Sequence, residues 1–195
     1  MNPHDHIWWL ISRSAGVTAL IAMTASVILG LALAGRVAGK SQRRSFSALH
    51  EQLSLTALIA IVVHGEALLG DRFLAPGVAG ITIPGVIDFK PAAVAAGIVG
   101  GYLAAFLGLS FYARRRFGGK RWRQMHRWTV LAWALAVVHT IFAGTDAQSA
   151  WLRLPLFASV GVVVMLFIAR LLGTRSGSRR SSTPRSSASV QSPAT

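Results

Sequence analysis

Residues 49–64 read LHEQLSLTALIAIVVH, and residues 125–139 read MHRWTVLAWALAVVH. Each stretch is an apolar run bracketed by histidines: His50 and His64 are fourteen residues apart, His126 and His139 thirteen. An ionisable ring inside a membrane segment is costly and marks a functional position. The reading of these two runs decides both the fold and the chemistry.

The composition around them is that of a membrane protein. Of 195 residues, 53% are hydrophobic and 13% charged, and the mean hydropathy is +0.52. That is too little charge to cover a soluble surface. A bilayer core takes roughly twenty apolar residues per helix, and five stretches qualify: 8–34, 49–69, 91–112, 122–143 and 151–172. The expected fold is therefore an all-α integral membrane protein, a bundle of about five transmembrane helices. The first stretch has no basic leader and no small-residue cleavage site, so it reads as a helix rather than a cleavable signal.

Lysines and arginines orient the bundle. Sixteen of the twenty fall in the 36–44 and 114–127 segments and from Arg170 onward; only Arg13, Arg72, Lys90 and Arg153 fall on the other side. Five of the six acids (Asp5, Glu66, Asp71, Asp88 and Asp146) join that minority. The expectation is an N-terminus outside and a C-terminus in the cytoplasm, in a multi-pass protein of a cell membrane of the bacterial inner or plasma-membrane type. The net charge of +14 then follows from positive-inside bias and attraction to anionic membrane lipid, and requires no nucleic acid. Residues 1–172 form the membrane domain. Residues 173–195, rich in Ser and Arg, read as a disordered cytoplasmic tail.

This topology makes the two histidine-bearing helices parallel. His50 and His126 then lie near the cytoplasmic end, His64 and His139 toward the outer end. Their separations along the helices are about 21 Å and about 20 Å, enough for two stacked macrocycles. The helical period fits the first pair, since fourteen residues return to within about 40° of the same face. Thirteen miss it by about 140°, which calls for tilt, a π-bulge or a different ring approach in the second helix.

Two haems fit this pattern better than other metals. Zinc needs tightly converging ligands, whereas histidines on one helix are about 20 Å apart. The chain has no cysteine, so disulfides, iron–sulfur clusters and covalent c-type attachment are excluded. No nucleotide-binding glycine fingerprint occurs. His4 and His6 read as a solvated terminus. A ligating histidine commonly donates its second ring nitrogen to a carbonyl; the carbonyls one turn earlier, at Phe46, Ala60, Trp122 and Leu135, are the expected acceptors. Arg13 is a candidate partner for an outer-haem propionate, with Arg44, Arg123 and Arg127 for the inner one. The glycines of the third stretch, Gly97, Gly100, Gly101 and Gly108, read as close helix packing. The competing reading is a helical transporter or structural membrane subunit with polar interhelical histidines and no haem.

With LHEQLSLTALIAIVVH and WRQMHRWTVLAWALAVVH in hand, the chain resembles the ferric reductase-like transmembrane domain family. That family includes NADPH oxidase membrane domains, ferric reductases and the haem-binding membrane subunit of methionine sulfoxide reductase systems. The resemblance spans roughly residues 7–172 and makes the 14-and-13 spacing expected. It implies two b haems, the inner one on His50 and His126 and the outer one on His64 and His139, with transmembrane electron transfer as the function. Family members often carry six helices with ligands on the third and fifth; here they fall on the second and fourth. No flavin or nicotinamide domain is expected within these residues, so the resemblance implies an oxidoreductase component fed by a separate flavoprotein or reductase partner, or by a quinol.

Overall fold

The computed structural model describes residues 3–35, 39 and 41–180. All regular structure among the described residues is helical: α1 (Pro3–Ala34), α2 (Arg43–Leu69), α3 (Gly77–Thr82), α4 (Pro91–Leu109), α5 (Arg114–Phe117), α6 (Gly119–His126), α7 (Thr129–Ala143) and α8 (Ala150–Arg180). Among the described residues, four helices are long and apolar enough to cross a membrane: His6–Ala34, Arg43–Leu69, Pro91–Leu109 and Ala150–Leu172.

The fifth expected span, 122–143, is not one helix but two, and the cause is local. After His126 the chain makes three-residue turns, with Trp128 N–H donating to the Met125 carbonyl at 3.0 Å and Leu131 N–H to the Trp128 carbonyl at 2.9 Å. The Thr129 hydroxyl donates to the His126 carbonyl at 2.8 Å and so satisfies an acceptor inside the break. Three-residue turns advance the chain by about 120° per residue instead of 100°. The interruption lies between His126 and His139, where the period of a straight helix fails to bring the two rings onto one face.

Long α1 packs antiparallel along α2, and α4 along α7, giving two tight helix pairs. Proline at the first position of α4, after Lys90 in the left-handed region, sets where that helix begins. Gly100 lets α4 approach α7 closely: a Cβ there would lie 3.2 Å from the Ala132 carbonyl oxygen. Gly101 and Gly108 face Ile61 and Leu58 of α2. The shared core contains Leu20, Met23 and Val27 of α1, Ala57 of α2, Ala104 of α4, Ala132 and Trp133 of α7, and Leu156 and Val163 of α8. Large side chains such as Ile59, Val62, Phe106 and Met165 point outward, as lipid-facing positions require.

Trp133 is 4% exposed, and its indole N–H donates to Thr24 Oγ1 at 3.0 Å, tying α7 to α1. Thr24→Val leaves that donor buried and unpaired. The expected loss is about 1 kcal/mol, within the range for interhelical hydrogen bonds in membrane proteins, read as a lower unfolding midpoint in detergent.

The connection 71–90 is anchored at its start. Asp71 is buried and its carboxylate accepts from Phe73 N–H at 2.8 Å, closing the turn after α2. Phe73 itself is 93% exposed. Helix α8 continues past the expected boundary at Gly173 to Arg180; the rest of the expected tail lies outside the described residues.

Candidate haem-binding site

The four histidines meet in two pairs, and each pair joins different helices. His50 and His126 have ring centroids 6.0 Å apart with planes at 87°. His64 and His139 are 6.1 Å apart at 75°. Fourteen residues of α2 separate His50 from His64, a rise of about 21 Å. Since each α2 histidine meets its counterpart at the same end of α6–α7, those segments run parallel.

Neighbouring helices hold the rings. His64 Nδ1–H donates to the Ser12 carbonyl at 2.8 Å, while the Ser12 hydroxyl returns a bond to the His64 carbonyl at 3.0 Å. His50 Nδ1–H donates to the Ser26 carbonyl at 2.8 Å. The Ser26 hydroxyl lies 3.0 Å from that nitrogen and 2.7 Å from the hydroxyl of Ser54, which donates to the His50 carbonyl at 2.8 Å. His139 Nδ1–H donates to the Ala93 carbonyl at 2.9 Å. A carbonyl oxygen only accepts, so in each case Nδ1 carries the proton and the neutral ring keeps Nε2 as its lone-pair nitrogen.

These acceptors are not those expected. The carbonyls of Phe46, Ala60 and Leu135 belong to the histidines' own helices, where the backbone ladder already uses them. The rings donate across to α1 and α4 instead. The carbonyl that acts on His126 is that of Leu107 in α4, again not Trp122, but it does not meet hydrogen-bond geometry, and His126 Nδ1 is left buried and unpaired.

Each anchored ring also rests on a glycine one turn beyond its carbonyl. A Cβ added at Gly16 would lie 3.0 Å from His64 Nδ1, at Gly30 3.2 Å from His50 Cε1, and at Gly97 2.5 Å from His139 Nδ1. Gly97 thus serves as a seat for a histidine rather than a helix-packing notch. The pattern Ser-x-x-x-Gly occurs at Ser12–Gly16 and again at Ser26–Gly30, fourteen residues later. It matches the spacing of His64 and His50 in the antiparallel partner, and it is the sequence signal from which the seats were readable.

This arrangement fits a haem at each pair. Two imidazoles on opposite sides of one metal, each bonded at about 2.0–2.1 Å, have centroids about 6 Å apart. No group of three or more His, Cys, Asp or Glu side chains poised for a metal occurs among the described residues. A porphyrin supplies four nitrogen ligands itself and asks the protein only for the axial two.

Arg13, expected beside a propionate, engages a protein carboxylate instead. Its Nε and Nη2 contact the two Asp146 carboxylate oxygens at 2.5 Å each, and its guanidinium lies 5.0 Å from the Trp9 ring. The pair fastens α1 to the α7–α8 connection. His6 is exposed, and the side chain of His4 lies outside those described. Comparison with known protein families, with curated proteins and with solved structures finds no match to this chain.

Proposed function

We propose that this chain is a two-haem b-type electron carrier of a cell membrane, resembling the ferric reductase-like membrane domains. The observation that carries the reading is the pairing of four histidines across helices at 6.0 and 6.1 Å, with three rings fixed by backbone carbonyls through Nδ1. His50 and His126 would hold the inner haem, His64 and His139 the outer. In this reading α6 and α7 together make a fifth crossing, and the basic segments 36–44 and 114–127 lie on the cytoplasmic side. Haem b would supply one-electron redox chemistry, with His50 and His126, and His64 and His139, as the residues that would hold it.

The protein's share is positional. Carbonyl acceptors at Nδ1 set the tautomer, raise the basicity of Nε2 and lock the ring plane. Helices α1 and α4 act as backing plates, holding the rings of α2 and α7 from behind through the Ser12, Ser26 and Ala93 carbonyls. Electrons enter from a cytoplasmic flavoprotein or reductase partner or from a quinol, and leave to an external acceptor.

A transporter or structural subunit with interhelical histidines would use the same carbonyl bonds, but it gives no reason for the rings to meet in pairs at two levels of α2. Protein purified from haem-replete cells separates the two readings. Two haems per chain and a reduced-minus-oxidised b-type spectrum are expected; a colourless preparation refutes the haem reading.

A further inference from the structure

Three of the four imidazoles are hydrogen-bonded through Nδ1 and rest on a glycine; His126 has neither restraint, only the Leu107 carbonyl beyond hydrogen-bond geometry. Its Nδ1 has no hydrogen-bond partner. The residue four positions after Leu107 is Phe111, where the other three acceptors are followed by glycine. His126 is also the last residue of α6, immediately before the break, so α7 does not fix its rotation.

Aromatic packing takes the place of those restraints. The Trp122 ring, one turn earlier on α6, stacks on His126 at 4.9 Å and 26°. Phe111 braces Trp122 edge-on at 5.8 Å and 61°. The Arg114 guanidinium covers Phe111 at 3.8 Å. The row Arg114–Phe111–Trp122–His126 leads from the basic turn to the histidine pair. Trp122 Nε1 is buried without a partner, which leaves ring packing as the contact through which this side chain acts on its neighbour.

We propose that Trp122 is the positioning residue for His126, and that the inner haem is the less firmly held of the two. The proposal rests on the haem reading above. A ligand fixed by a stack keeps more freedom about its ring axis than one pinned at Nδ1, and outer-shell partners of metal-bound histidines are commonly worth 10–100-fold in affinity. The inner haem should therefore leave the wild-type chain about tenfold faster than the outer one.

Electron paramagnetic resonance of the haem-loaded full chain in detergent provides the test. Wild type is expected to show two low-spin ferric signals, with the outer one identified by its loss in His64→Ala. In Trp122→Ala the inner signal should fall and a high-spin signal rise, while the outer signal persists as proof of folding. Trp122→Phe, which keeps a stacking ring, should restore the inner signal. Haem capture by excess apomyoglobin gives a readout on the unmutated chain, with the inner haem transferred first. Two intact low-spin signals in Trp122→Ala, equal loss of both, or capture of the outer haem first would overturn the proposal alone. A wild-type chain with no bis-imidazole signal overturns the haem reading and the proposal with it.

Discussion

Replacing Gly97 with alanine is expected to remove one haem and leave the other. The added methyl carbon would lie 2.5 Å from Nδ1, 2.7 Å from Cγ and 2.9 Å from Cε1 of His139, across the face of the ring. Carbon and nitrogen at van der Waals contact need about 3.5 Å, so the imidazole must leave its seat. In doing so it loses the Ala93 carbonyl and its position against His64. Outer-haem affinity should fall by at least about 10–100-fold, taking the haem-to-protein ratio from two toward one. The other seats grade the effect: Gly16→Ala should weaken the outer haem less and Gly30→Ala the inner haem less, because their closest approaches are 3.0 and 3.2 Å. Gly161→Ala, with nothing within 4 Å of the added carbon, serves as the neutral control. Pyridine haemochrome assay against protein concentration measures the series. Retention of both haems in Gly97→Ala would mean that the His139 ring does not need its present position.

The second large effect concerns which histidines act together. His64→Ala and His139→Ala should each remove the outer haem, and the double variant should lose nothing more, because both changes destroy one site. His50→Ala and His126→Ala should behave likewise for the inner haem. His64→Ala combined with His126→Ala should lose both haems. Non-additivity within a pair and additivity between pairs is the signature of two independent sites. If His50 and His64 instead behaved as a unit, pairing across helices would be wrong despite the 6 Å approaches.

The identity of the four histidines and their grouping across parallel helices were legible in the sequence, because apolar runs and basic loops fix depth and direction. The partners of the rings were not. A search within each histidine's own helix overlooks that the ladder there is occupied, and a serine or alanine carbonyl leaves no mark in the side-chain pattern. Only the repeated serine and glycine of α1 betray two of the seats. The break after His126 was also hidden, since Arg127 and Trp128 include neither proline nor glycine; its one trace was the thirteen-residue spacing. Arg13 was recognised as a cation in need of an anion, but Asp146 is 133 residues away in the chain, and local sequence carries no sign of such a pairing.

The matched fourteen-residue spacings on α1 and α2 make the first helix a ruler. One residue inserted between Gly16 and Ser26 would turn the second seat by about 100° and shift it by about 1.5 Å, unseating His50 while His64 stays in place. A compensating residue between His50 and His64 would restore the register of that pair and then misalign α2 with α7. Length changes in this region are therefore tolerable only when three helices change together. Substitutions on the lipid-facing sides of the same helices meet no such constraint.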